Sequence, residues 1–396
     1  MTQRTIAIVG AGIGGLTAAL ALDAAGHAVT LIERRTGFSE VGAGIQLSPN
    51  ASRVLIGLGL GGALRRSANA PPCVAVRDFA NGKALGAVEL GSPFEARFGA
   101  PYYVIHRAEL QTMLLDAVRA RSGIRLMVGR EVVGLAETEG GVRLTLESGH
   151  GARTDSFEAD LAIGADGVRS RLREHLDAKP LRPCGQAAWR AVVPREAAPD
   201  ALQGDETGLW LGRGHHVVHY PIARGQQINV VAVIPEKLGS EGWGQLGEPA
   251  VLRARLHEAS PPLAALLAIP DSWLVWSLVD RPAARPLALG RIALIGDAAH
   301  PILPFLAQGA ALAIEDAAVL AHTLAEGDVP AALDAYARAR APRVRKVRDA
   351  ARGNGRTYHA GGLTRLARNV VMRRLGPARM SERYAWLYGW TPAGKA

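Results

Sequence analysis

The feature that most restricts this chain is a glycine turn at its start. Residues 5–9 (Thr-Ile-Ala-Ile-Val) form a short β-rich apolar run that leads directly into Gly10-Ala11-Gly12-Ile13-Gly14-Gly15. Residues 16–25 read as an alanine-rich helix stopped at Gly26, and a second strand over 28–32 ends in Glu33-Arg34. Strand, glycine turn, helix, strand and acid is the order of a dinucleotide-binding βαβ unit. Gly10 permits the tight turn, Gly12 lets the backbone approach a pyrophosphate, and Gly15 lets the helix pack closely on the strand. The helix N-terminus then faces the phosphates, and Glu33 is placed to bind a ribose diol. A GxGxxG run alone is weak evidence. The flanking elements, with the acid 18 residues after Gly15, make it specific. The motif does not choose between FAD and NAD.

Other bounds narrow the class. The chain has 396 residues, 48% apolar and 21% charged, an ordinary globular composition. Cys73 and Cys184 are its two cysteines, so a disulfide framework and a four-cysteine zinc site are excluded. A reducing, cytoplasmic setting is the expectation, with no signal peptide. The longest uncharged stretch, 6–22, is interrupted by the glycines of the turn and suits a strand and buried helix better than a membrane span. The eleven histidines show no HxxxH pair on a convincing helix, so no metal centre is expected. A GxSxG elbow, a CxxC pair and a Walker lysine are absent.

Two further runs follow buried strands. In residues 158–171 the strand 161–163 runs into Gly164, Asp166 and Gly167, then a basic turn; alone, Asp-Gly there is most often only a turn. In residues 291–316 the strand 291–295 ends at Gly296-Asp297, followed by Ala298-Ala299-His300-Pro301, Pro304, Gln308 and Gly309, with a helix from Ala310. An aspartate just past a strand can bind a polyol hydroxyl. Two prolines stiffen the loop, and the helix end would stabilise negative charge on a reduced cofactor ring. In residues 214–222, strand alternation puts His216, Val218 and Tyr220 on one face and His215, Val217 and His219 on the other. An imidazole beside a tyrosine suits removal of a phenolic proton, although a half-exposed polar strand gives the same spacing.

Together, Gly164-Ala165-Asp166-Gly167-Val168-Arg169-Ser170 and Gly296-Asp297-Ala298-Ala299-His300-Pro301 resemble the single-component flavoprotein aromatic hydroxylases of the para-hydroxybenzoate hydroxylase fold. The resemblance extends over nearly the whole chain, including Glu40-Val41-Gly42-Ala43-Gly44-Ile45-Gln46, Val104-Ile105-His106-Arg107, Trp189-Arg190 and Trp386-Leu387-Tyr388-Gly389-Trp390. It is nearest to the branch of hydroxybenzoate 6-hydroxylases and salicylate hydroxylase-like enzymes. It implies that Gly10, Gly12 and Gly15 hold the FAD pyrophosphate and that Glu33, with Arg34 beside it, binds the adenosine ribose. Arg107 would contact FAD, the Val132 backbone would meet the adenine, and Asp166 with Gly167 would lie near FAD. Asp297 would hold the ribityl chain, and Gly309 and Ala310 the pyrimidine edge of the flavin. His216, Tyr220 and Tyr102 fall on active-site positions of that branch, whereas Tyr103 points to the opposite face. One departure concerns substrate: a glutamine that touches it in the branch is replaced by Pro304, with Gln308 one turn further on, next to the flavin; Pro304 and Gln308 are both expected at the substrate pocket.

The resemblance implies a FAD-dependent monooxygenase. NADH, with NADPH as the alternative, would reduce FAD, and O2 would form a flavin C4a-hydroperoxide that hydroxylates a small phenolic or heteroaromatic acid. Related enzymes acting on a hydroxynicotinate, a quinolone or a polyene, and a flavin-binding protein without turnover, are the alternatives. The expected fold is α/β: a Rossmann-type FAD-binding domain from residues 1–70, 101–180 and 281–330, an inserted mainly β substrate domain from 71–100 and 181–280, and a C-terminal basic helical region over 331–396.

The formal net charge is +10, but residues 338–379 carry 13 Lys or Arg against Asp349 alone. The rest of the chain is near neutral, which argues against a nucleic-acid groove. In 363–375, Leu363, Leu366, Val370 and Leu375 form an apolar stripe among arginines. The expectation is a solvated helical face outside the chemistry, paired with acids on the body or on the second subunit of a homodimer; contact with anionic lipid is the lesser alternative.

Overall fold

The computed structural model describes residues 2–38, 43–148, 153–238, 243–325 and 327–392. The glycine turn lies where its pattern puts it. Thr5–Val9 is a central strand, Ile13–Ala24 the helix and Ala28–Glu33 the second strand. The sheet order is Ala288–Leu289, Ile292–Leu294, Leu161–Gly164, Thr5–Val9, Ala28–Glu33, Ile124–Val128. All pairings are parallel except the first. These strands are short apolar runs because both faces are covered. The helix Ile13–Ala24 is buried along most of its length, and a side chain at Gly14 would sit 3.1 Å from Ala313 of the helix Gly309–Thr323. Small residues bring those two helices together.

A second sheet runs in the order Trp243–Gly247, Trp273–Asp280, Arg182–Pro194, Gln227–Pro235, His216–Ile222, Thr207–Leu211, Cys73–Asp78, Ala84–Glu89. Its outer face packs a separate core around Trp189, Trp210 and Trp273. Its inner face, carrying His216, Val218 and Tyr220, looks toward the first sheet's loops. A three-stranded meander, Arg130–Glu137, Val142–Ser148 and Arg153–Ala159, flanks the nucleotide end.

The basic region forms two long helices, Val329–Tyr358 and Gly362–Glu382, that strap across both sheets. Its arginines meet acids of the body: Arg340 and Arg343 meet Glu315, Arg348 and Arg352 meet Asp280, and Arg365 meets Asp78. Of the apolar stripe expected on the second helix, Leu363 and Leu366 are turned to solvent, 84% and 61% exposed, and Val370 is exposed with them. Leu375, its last member, faces the body together with Met372 and Met380. Among the described residues, no helix is long and apolar enough to cross a membrane.

Candidate active site

Every glycine-acid motif lies at the carboxyl end of a parallel strand, where open α/β sheets bind ligands. Gly10 follows the first strand, Glu33 ends the second, Asp166 follows Leu161–Gly164, and Asp297 follows Ile292–Leu294. One cavity of about 230 Å³ is lined by Gly10, Gly12, Glu33, Arg34, Val132, Asp166 and Gly167. A second, of about 310 Å³, is lined by Gly12, Gly167, Arg107, Asp297, Gly309 and Ala310, together with His216 and Tyr220. The two share Gly12, Ala165 and Gly167. A Cβ at Gly12 would meet nothing within 4 Å, whereas one at Gly15 would stand 1.9 Å from the Gly10 carbonyl oxygen. The turn is thus tight behind and open in front, the shape a pyrophosphate needs. Two joined cavities with an acid at the far end fit an extended FAD.

The polar groups around this channel are held from behind. Glu33 accepts from the Ala11 N–H at 2.8 Å and the Arg35 N–H at 2.9 Å. Asp166 accepts from the Arg171 N–H at 2.8 Å. The Gly296-Asp297 loop is fixed at both ends. Asp316 accepts from the Gly296 N–H at 2.9 Å and from His300 Nε2 at 2.6 Å. Fully buried Arg173 donates to the Ala298 and Ala299 carbonyls at 3.1 and 2.9 Å. The motifs named the loop but not these two anchors.

A third cavity, about 130 Å³, opens from the second and shares Gln46, His216, Val218, Pro304 and Ala307 with it. Its walls are mostly apolar: Val74, Val88, Leu209, Phe305, Met372 and Met380, with Tyr102, Tyr358, Tyr384 and Tyr388. Arg383 is the charged side chain among its described lining residues. Of the three residues grouped from sequence, His216 lines both cavities, Tyr220 the second and Tyr102 the third. Gln46 joins the tyrosines, accepting from Tyr102 Oη at 2.5 Å and reaching Tyr220. Burial pushes both phenols above their usual range, so they remain donors. His216 is buried, and burial followed by the adjoining His359 lowers its pKa well below the usual range, so it is a neutral imidazole.

Pro304 lines both the second and third cavities. Gln308, expected on the substrate side, lines neither: its amide donates to Ser48 Oγ at 2.9 Å and accepts from Asn50 Nδ2 at 3.0 Å. A buried amide must be satisfied, and here the helix Pro49–Leu55 satisfies it. Tyr103 packs in the core around the first sheet. Residues 40–42 of the quoted run lie outside the described residues. The basic tail, expected outside the chemistry, supplies Tyr358, Met372, Leu375, Met380 and Arg383 to the third cavity.

A channel with room for an extended dinucleotide thus opens onto an aromatic-lined pocket at a neutral imidazole. A family model described as FAD binding domain matches residues 3–351. The chain is 35% identical over 388 residues to the 3-hydroxybenzoate 6-hydroxylase of Polaromonas naphthalenivorans, covering 97% of this chain and 96% of the relative. It is 36% identical over 392 residues to a 3-amino-4-hydroxybenzoate 2-monooxygenase of Streptomyces platensis, covering 98% and 96%. The structure of Klebsiella pneumoniae HpxO complexed with FAD and uric acid matches with a TM-score of 0.86 at 28% identity, covering 98% of each chain. The chain belongs to this FAD-binding family and is a flavoprotein monooxygenase.

Proposed function

We propose that the protein hydroxylates a small phenolic acid of the hydroxybenzoate class, with NADH as reductant and His216 as the base that takes the phenolic proton. The observation that carries this reading is the position of His216. It stands in the wall common to the FAD channel and the apolar pocket, its Nδ1 engaged by His359 and its Nε2 without a hydrogen bond among the described residues. FAD, when bound, supplies the electrophilic oxygen drawn from O2. The chain's own residues orient the ring, keep water out and move the proton. Removing that proton makes the ring electron-rich, and the valine, leucine and methionine walls exclude solvent from the reacting carbon. Tyr102 and Gln46 form a hydrogen-bonded pair that orients the ring's polar substituents. Arg107 and Arg190 both line the FAD channel and oppose negative charge gathered there during reduction. A screen of hydroxybenzoates and hydroxynicotinates for substrate-stimulated NADH consumption, with product identification, tests the assignment. If no ring in the screen stimulates NADH use, the assignment fails.

Arg383 accounts for the acid. Its guanidinium lies 5.9 Å from the Tyr384 ring at the rim of the third cavity, so a carboxylate there has a charged donor without being carried into the apolar interior. Arg383→Leu is expected to raise KM for the carboxylated substrate roughly ten-fold while leaving kcat near wild type. Steady-state kinetics on the acid and on its amide reads this out. Equal loss for both ligands would count against Arg383 as the carboxylate's partner.

A further inference from the structure

His359 caps the long helix Val329–Tyr358 and packs against His216, ring centroids 5.1 Å apart. The chain holds it there by its backbone: its N–H donates to the Gly355 carbonyl at 3.1 Å, and its carbonyl accepts from the Gly214 N–H at 3.0 Å. Its ring is half-buried, against the near-complete burial of His216. His359 Nε2 lies 2.8 Å from His216 Nδ1, and His359 Nδ1 lies 3.0 Å from the Gln186 side-chain nitrogen. Phe305 and Tyr358 flank the His216 ring. A continuous line of polar atoms therefore runs from the pocket through two imidazoles to an edge that solvent reaches.

We propose that His359 is a proton-relay residue, passing the substrate's phenolic proton from His216 to solvent. The inference rests on the assignment of His216 as the base. The steps balance on neutral imidazoles. The phenol O–H gives its proton to His216 Nε2 as the His216 Nδ1 proton moves to His359 Nε2 and the His359 Nδ1 proton leaves toward Gln186 and water. One proton leaves the phenol, one reaches solvent, and both rings have exchanged tautomers. As placed, the Gln186 nitrogen meets a bare Nδ1, the arrangement after transfer; turned over about its last bond, the amide presents its oxygen to Nδ1–H, the arrangement before transfer, so it serves both states. In the second state His216 Nε2–H donates to the new phenolate oxygen. The environment calls for such a path. Burial first, then His359 and His215, disfavour an imidazolium at His216, and burial with His215 and Arg368 does the same at His359, whose pKa is lowered to about 4. A proton that stopped on either ring would be a desolvated charge; one that passes through is not.

Proton release on ligand binding tests this without turnover. The FAD-loaded protein is mixed with 3-hydroxybenzoate in the absence of NADH, and a pH indicator follows the proton. His359→Gln keeps a hydrogen-bonding amide but cannot shuttle. It is expected to slow release at least about ten-fold with flavin spectrum and ligand affinity unchanged. His359→Ala is expected to slow it likewise and to recover on addition of imidazole, which can enter from the half-exposed side. Release at the wild-type rate in His359→Gln, with His216→Asn slowed, overturns the relay and leaves the base standing. Release at the wild-type rate in both variants overturns both assignments, as does an absence of release in the wild type. Slow release in His359→Ala that imidazole does not restore marks a packing role and overturns the relay.

Discussion

Asp316→Asn will destabilise the protein by about 3–5 kcal/mol, the cost of breaking a buried ion pair from one side, and will loosen its hold on FAD. Asp316 is fully buried, and its two oxygens serve two structures. One accepts from the Gly296 N–H and from His300, and so fixes the loop that carries Asp297. The other accepts from Arg340 Nε at 2.6 Å, and so fixes the long C-terminal helix. An asparagine amide presents one oxygen and one NH2 group. Whichever way it turns, it sets donor against donor on one side. Arg340, almost fully buried, keeps Glu315 at 2.7 Å but loses its second carboxylate. Trp390, whose ring lies 5.4 Å from that guanidinium, does not replace an ionic partner. Denaturant unfolding with and without FAD measures both effects. A variant of wild-type stability would show that the network is dispensable.

The same residue gives a pH signature. Burial would raise the Asp316 carboxyl, but His300 and Arg340 hold it down at about 2. A carboxylate depressed in the folded state stabilises fully above its unfolded pKa, near 3.8. That stabilisation is lost as pH falls from there through about 2. Wild-type stability should therefore fall steeply below pH 4, and the Asp316→Asn curve should lack that part of the slope.

Which parts of this were legible in the sequence follows from how local each signal is. The turn at Gly10–Gly15 is read within one βαβ unit because each glycine answers a constraint set by its immediate neighbours. The strand-end aspartates are read for the same reason. His216 and Tyr220 share a face because a strand alternates, and this too is local. Arg340 was hidden because a run of arginines with one acid reads as a solvated face; its partners, Glu315 and Asp316, lie on another helix. His359 was hidden because its partner is 143 residues away, reached only when the C-terminal helix crosses the second sheet. Gln308 was placed by counting along a loop, and the count cannot tell that Ser48 and Asn50 turn its amide away from the pocket.

His216→Ala should leave NADH oxidation running while product per NADH collapses. Loss of a positioned base typically costs 10²–10⁴ in the step it serves, so hydroxylation should slow by roughly a hundred-fold or more. FAD reduction depends on the dinucleotide channel, whose glycines and acids the substitution does not touch. The ring would still enter the pocket, since Tyr102, Gln46 and Arg383 remain, but it would stay a phenol and react poorly. Oxygen would then leave as hydrogen peroxide instead of entering the ring. The removed imidazole also vacates space between Phe305 and Tyr358, so His216→Asn, which keeps polar bulk, is the necessary companion. If both variants release peroxide with wild-type FAD affinity, chemistry and not packing is what the histidine supplies. Simultaneous measurement of NADH, product and peroxide decides it, and an unchanged yield of product per NADH would remove His216 from the mechanism.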